Sequence, residues 1–214
     1  MGTTYPVTYP CIQDGLVFYA DAKNRKSWDG GTTMCDPFQQ QYSGSGTNVT
    51  GDDWDGALTT EGYWSLDGTD DKMHFGTLKD NPIATANPAS LCIWLKSTDV
   101  KFVTFQAPGT ANDYTMAINT ANGARYADAT TGVGTRYKDG VADANFDGDG
   151  DWHYYVVAGV NLNHTEWSSK GIYVSGYGSF YYAGDIGPIT MYNRTLSASE
   201  VLTNYNMVKG RFGL

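Results

Sequence analysis

From residue 89 onward the chain is a succession of short apolar runs, each closed within a few residues by turn-forming glycine, asparagine, aspartate or proline: ASLCIWLKS, KFVTFQA, DYTMAIN, ARYADAT, GVGTRYK, WHYYVVAGV, GIYVSG and YYAGDIGPITMYN. Eight such runs, recurring at roughly 8 to 12 residues, call for a β-sandwich. In ASLCIWLKS, Leu91, Ile93 and Leu95 alternate with Cys92, Trp94 and Lys96, the period-two pattern of a strand in one of two packed sheets. The 16 Tyr, 6 Trp and 26 Gly residues suit pleated surfaces joined by tight turns rather than long helices. The expected fold class is all-β, an antiparallel β-sandwich in a single domain over residues 15 to 214, because sandwiches of this length commonly form one unit.

Residues 1 to 14 carry Pro6 and Pro10 among β-formers and read as an extended N-terminal arm. GLVFYADA (15 to 22) is the first clear strand, and YWSLDGTDDKMHF (63 to 75) reads as two strands around a DGTDD turn. Between them, residues 29 to 62 form a Gly/Ser/Thr/Asp-rich stretch, a length that belongs to a binding surface or hides short strands. One helix is expected, at the end, in LSASEVLTNYNMVKG. Ser197 with Glu200 makes a capping box, Leu196 and Val201 a hydrophobic staple, and Gly210 a left-handed stop. Val201, Leu202, Tyr205 and Val208 fall on one face at helical spacing, expected to pack on the sandwich.

The net charge is −9, and only Glu61, Glu166 and Glu200 among the 23 acidic residues are glutamate. Aspartate favours turns over helix interiors. An acidic chain without a Lys/Arg stripe repels phosphate, so neither nucleic acid nor an anionic membrane is an expected partner. Cys11, Cys35 and Cys92 show neither disulfide nor zinc spacing, and Cys92 reads as a small core residue. MGTTYPVTYP lacks a basic segment followed by an apolar one, from which the expectation is synthesis without secretion.

DANFDGDGD (143 to 151), directly before WHYYVVAGV, is the densest cluster of chemistry-bearing residues. Calcium takes six to eight oxygens, and an EF-hand loop supplies them at positions 1, 3, 5, 7, 9 and 12 with glycine at 6. Counted from Asp143, the acidic or amide positions are Asp143, Asn145, Asp147, Asp149 and Asp151, with Gly148 at the bend, but position 12 is Tyr154. An EF-hand is excluded. A looser structural calcium loop remains as the one cofactor reading, against a plain Gly/Asp turn that starts the Trp152 strand. DGTDD at Asp67 to Asp71 reads as a turn.

No catalytic signature stands out: His74, His153 and His164 are the only histidines, none near a nucleophile elbow or a Cys-His signature, and no phosphate-binding glycine loop is present. His153 alternates with Trp152 along a strand and reads as packed or hydrogen-bonded rather than as a base. For ligand binding, Trp28, Trp54, Tyr63, Trp64, Trp167, Tyr181 and Tyr182 are candidates to stack on sugar faces, since flat aromatics with a polar edge suit that work.

DGTDDKMHF, DGDWHYYVVAGV and the closing YYAGDIGPITMYNRTLSASEVLTNYNMVKGRFGL, in that order, resemble the laminin G-like, concanavalin A-like jelly-roll modules. Those modules often show a DGTDDY turn, a DGxWHHV strand and a closing G-x-I…YNRxLSxxE; here His153 is followed by Tyr154 instead of a second histidine. The ending YNMVKGRFGL and the opening GLVFYADAKNRKSW are similar to laminin G-like proteins of tailed bacteriophages, particularly marine and cyanobacterial ones. The resemblance implies a jelly roll and a non-enzymatic virion structural role as capsid decoration or a head or tail fibre component. Its partners would be other virion proteins and itself as a trimer, with localisation on the virion surface after assembly in the host cytoplasm. The alternatives are an adhesin module that binds a host-surface glycan and a glycan hydrolase. Laminarinase-type glucanases share this fold and carry E-x-D-x-(x)-E on one strand, for which none of the three glutamates here has a partner.

Overall fold

The computed structural model describes residues 10–24, 33–34, 49–50, 57–58, 62–69, 71–75, 88–98, 103–106, 114–118, 134–143, 148–160, 172–175 and 182–214. They form β1 (Leu16–Ala20), β2 (Thr33–Met34), β3 (Val49–Thr50), β4 (Ala57–Leu58), β5 (Trp64–Asp67), β6 (Lys72–Phe75) and β7 (Ala89–Lys96). There follow β8 (Val103–Gln106), β9 (Tyr114–Ile118), β10 (Thr135–Lys138), β11 (Val141–Ala142), β12 (Trp152–Val160), β13 (Ile172–Ser175), β14 (Ala183–Tyr192), the helix α1 (Ala198–Val208) and a 3₁₀ turn, Lys209–Phe212. ARYADAT lies outside the described residues. An eight-stranded antiparallel sheet runs β11-β10-β12-β7-β14-β5-β4, with β1 also on β14, and a second, four-stranded sheet runs β6-β13-β8-β9. This is the all-β sandwich with one C-terminal helix that the runs and turns call for.

The centre of the large sheet is buried on both faces. Cys92 and Trp94 of β7, Tyr154, Val156 and Ala158 of β12, and Tyr192 of β14 share a core with Leu196, Val201 and Val208 at the helix and Cys11 before β1. On the opposite face Leu91, Ile93, Tyr155, Val157, Ile189 and Met191 are equally buried. Alternation in β7 therefore separates two apolar surfaces, one under the helix and one toward the second layer, and β7 has no wet side.

The helix begins as expected: Ser197 and Glu200 form the reciprocal capping box, and Glu200 also receives both Nη atoms of Arg194, at 3.0 and 2.6 Å. Its end differs. Lys209 caps α1 in a right-handed conformation, and the left-handed residue is Gly213 (φ 79°), so Gly210 is not the stop. The 3₁₀ turn keeps the chain winding and lays Phe212 on the sheet, 4.1 Å from Trp152 between ring centroids. Leu202 is also displaced from the expected face: it is 44% exposed, while Asn204 is buried. Asn204 Oδ1 accepts from Ile12 N at 2.7 Å and its Nδ2 donates to the Tyr192 hydroxyl at 3.1 Å, so the described end of the arm is tied to the chain's own helix at Ile12.

β14 changes partner along its length. Ala183–Ile186 pair with β5, Ile189–Tyr192 with β1, and the register against β7 shifts between Ile186 and Ile189, across Gly187 and Pro188. A Cβ on Gly187 would sit 2.8 Å from the Phe212 ring and 2.9 Å from Trp94 Cβ, so only glycine admits the aromatic stack there. In the gap between the end of β1 and the start of β5 lies a buried ion pair. Arg211 Nη1 contacts both oxygens of Asp21 at 2.8 and 2.9 Å, while its Nη2 donates to the Gly62 carbonyl. Tyr19 Oη and Lys23 N also donate to Asp21, at 2.9 and 3.0 Å.

Asp21 is 5% exposed, so removing its cation leaves a buried charge unpaired. Arg211→Ala is expected to lower unfolding free energy by about 3–5 kcal/mol, read from urea denaturation.

Candidate functional site

The acidic loop and the strand it precedes meet at His153. β10 and β11 are joined by the two-residue turn Asp139-Gly140, with φ of 53° and 82°, the left-handed pair of a type I′ hairpin. That turn docks on β12: Asp139 N donates to the Tyr154 carbonyl and Asp139 Oδ1 accepts from Tyr154 N, both at 2.9 Å. Asp139 Oδ2 then lies 2.7 Å from His153 Nδ1, and Asp149 faces His153 Nε2 at 3.0 and 3.1 Å. A neutral imidazole has one N–H, so only the imidazolium donates to both carboxylates. Burial pulls the His153 pKa down, but the hydrogen bond and charge of Asp139, followed by the hydrogen bond of Asp149, outweigh it and leave the value raised. Asp149 is pushed up by burial, but the N–H of Asp151 and the imidazole bring it below its ordinary value.

His153, read from sequence as hydrogen-bonded, is so. Asp139 went unnoticed, although the dipeptide Asp139-Gly140 is itself a hairpin signal. Of the five candidate calcium ligands, Asn145 and Asp147 lie outside the described residues. Both oxygens of Asp149 face the imidazole, and Oδ1 also accepts from Asp151 N at 3.1 Å. Among the described residues, including Asp143 and Asp151, no group of three or more His, Cys, Asp or Glu side chains is placed to hold a metal ion. DGTDD is a self-capped turn: Asp71 Oδ2 accepts from Asp67 N at 2.8 Å and Asp67 Oδ1 from Thr69 N at 2.6 Å.

Among the stacking candidates, Trp28, Trp54, Trp167 and Tyr181 lie outside the described residues. Tyr182 is a core residue, 2% exposed, whose hydroxyl lies 3.2 Å from the Lys96 carbonyl it donates to. Trp64 is fully buried as well, and Tyr63 packs edge-on against Trp152. Tyr182 and Trp64 are therefore not open stacking platforms, because the double-faced sheet consumes large aromatics as core, whereas Tyr63 is half-buried. Burial likewise pushes the thiols of Cys11 and Cys92 up, to about 11 and about 12, which makes them inert packing residues.

Described residues line open cavities at two places. One, of about 560 Å³, lies at the rim where β7 ends and β14 begins, lined by Ser65, Lys96, Ser97, Thr98, Asp185 and the backbone of Gly150 and Gly184. Lys96 and Asp185 are cross-strand partners, and Gly150 N donates to the Ser97 carbonyl at 3.0 Å, so the Asp149–Asp151 turn forms one wall. A Cβ on Gly184 would come 2.5 Å from the Lys96 carbonyl, which fixes the close approach of the two strand ends. The other cavity, of about 610 Å³, is a cleft between the exit of β1 and the end of α1, walled by Tyr19, Asp21 and Arg211 and rimmed by Pro10, Lys23, Asn24, Asn206, Met207 and Gly210. Sequence reading missed both, because their linings come from segments joined only through sheet register.

The architecture has solved counterparts. Trypanosoma rangeli sialidase in complex with the inhibitor DANA superposes with a TM-score of 0.59 at 12% identity over 91% of this chain and 33% of the sialidase chain. The same enzyme with 2,3-difluorosialic acid gives 0.56 at 11% identity over 91% and 33%. The receptor-binding domain of a botulinum neurotoxin C/D mosaic serotype gives 0.44 at 14% identity over 91% of this chain and 52% of that one. The chain thus spans about a third of the sialidase chains, and at this identity the sialidase likeness establishes a shared β-sandwich fold. No protein-family model matches the chain, and no curated protein sequence matches it.

A raised His153 pKa contributes stability that is complete below the ordinary value of 6.5 and is lost as pH rises through the folded value. A lowered Asp149 pKa contributes stability present above 3.8 and lost as pH falls through its folded value. The stability difference between the native chain and His153→Gln is therefore expected to be greatest between those two ordinary values and to shrink on either side, measured by urea denaturation across pH.

Proposed function

We propose that the chain is a non-enzymatic glycan-binding β-sandwich module. The observation that carries the reading is the rim cavity, which Ser65, Ser97 and Thr98 line together with the cross-strand Lys96 and Asp185 and a glycine-lined backbone, the Ser97 hydroxyl donating to the Ala183 carbonyl at 2.6 Å. Saccharides are recognised by closely spaced donors and acceptors of this kind in a preformed concave site. Hydrolysis makes a different demand, two carboxyl groups about 5–5.5 Å apart for retention or about 6.5–9.5 Å for inversion. Among the described residues each cavity offers a single carboxylate, Asp185 at the rim and Asp21 in the cleft. The sialidases that share the fold were solved with DANA and with 2,3-difluorosialic acid, which supports a glycan context for the architecture. With a net charge of −9, neutral glycans are favoured over polyanionic ones.

Display on a virion is a finer reading of the same module, favoured by the closing YNRTLSASEVLTNYNMVKGRFGL and its resemblance to laminin G-like phage proteins. Its partners are then other virion proteins and further copies of itself. Antibody raised against the chain should decorate purified particles of a phage that encodes it; unlabelled particles remove this reading and leave the glycan-binding one standing.

On an array of neutral glycans the labelled chain is expected to retain a small set. Lys96→Ala should weaken that binding at least ten-fold while leaving the melting temperature unchanged. Cleavage of a retained glycan, abolished by Asp185→Asn, would replace the binding reading with an enzymatic one.

A further inference from the structure

We propose that the cleft between the exit of β1 and the end of α1 is a second saccharide site, separate from the rim cavity. The ligand class rests on the glycan-binding reading; the geometry rests on residues that the rim cavity does not share.

Gly210 is the telling residue. Its φ lies outside the left-handed region, and a Cβ built on it would meet nothing within 4 Å, so neither backbone conformation nor packing calls for glycine there. Glycine weakens a helical turn relative to alanine. What it does provide is a bare stretch of backbone in the cleft, which a ligand can approach closely. Beside it Met207 is 51% exposed on the last turn of α1 and, with the exposed Pro10, offers an apolar surface against which the C–H face of a sugar ring can lie. Around that surface stand Lys23, Asn24 and Asn206, an ammonium and two amides matched to ring hydroxyls.

The wall behind them selects against charge. Each Asp21 oxygen already accepts from Arg211 and from one further donor, Lys23 N or Tyr19 Oη. The two charges therefore offset each other within the wall, which shows the cleft no net charge. A neutral, short saccharide fits. With the rim cavity at another place on the fold, the domain becomes bivalent, and two weak sites on one rigid body can hold a repeating glycan more tightly than either alone.

The test uses the intact chain labelled with ¹⁵N, titrated with maltotriose, cellotriose and mannotriose while amide shifts are followed. At least one trisaccharide is expected to shift the amides of Asn24, Asn206, Met207 and Gly210. Gly210→Trp, which fills the cleft, should abolish those shifts, whereas Lys96→Ala should leave them in place. If Gly210→Trp fails to fold, Asn206→Ala combined with Met207→Ala should weaken the same binding at least ten-fold. Shifts confined to the rim, or unchanged by plugging the cleft, overturn the second site and leave the module reading intact. Shifts confined to the cleft overturn the rim assignment and leave this one standing, and no shift with any of the three overturns both.

Discussion

The described fold depends on how one side of β14 is shared between two strands, β1 and β5, that are distant in sequence. β14 bends at Gly187 and Pro188, where proline has no N–H to offer a neighbour and glycine leaves room for Phe212. The break leaves β1 and β5 ending near each other without a backbone ladder to join them. Arg211 closes the gap, reaching Asp21 after β1 and the Gly62 carbonyl before β5. A buried ion pair of this sort adds little net stability over an apolar replacement, since both ions are desolvated, but it is costly to break and specific in geometry. Its role is to fix which strand ends meet.

The same arginine sits in the 3₁₀ turn that follows α1, so the pair also determines where the helix lies. Phe212, the next residue, stacks on Trp152 and packs at a tilt against Trp94, and the capping box with Arg194 sets the opposite end of the helix. Between those two anchors Asn204 holds the N-terminal segment through Ile12 and Tyr192. The large sheet thereby acquires a cover on its second face, which is why Cys92, Trp94 and Tyr154 are as buried as Leu91, Ile93 and Tyr155.

Function follows from what this arrangement leaves open. Central strands buried on both sides cannot present a binding face, which is why the proposed recognition falls at the rim and at the seam beside the helix. At the rim the turn before β12 is held by Gly150 on Ser97 and by Asp149 on His153. The acidic loop, as far as it is described, is thus a wall-builder whose aspartates serve hydrogen bonds and a histidine. In the seam the Asp21–Arg211 pair, held by four hydrogen bonds to Asp21 and one to the Gly62 carbonyl, supplies the back wall of the proposed second site.

Much of this was legible in the chain itself. Short apolar runs with frequent turn residues fix an antiparallel sandwich, because backbone hydrogen bonds of strands that short can be satisfied only by neighbours in a sheet. Ser197 and Glu200 fix the start of the helix, since capping is a local interaction within four residues. Tertiary structure alone decided the rest. It made Tyr182 and Trp64 core residues instead of open platforms, ended the helix in a 3₁₀ turn that runs through Gly210, and turned the helix so that Asn204 is buried and Leu202 is not. It also paired Lys96 with Asp185, Asp21 with Arg211 and His153 with Asp139. Each of these depends on sheet register and on which elements pack face to face, and a local pattern of residues carries no record of its partner across a sheet.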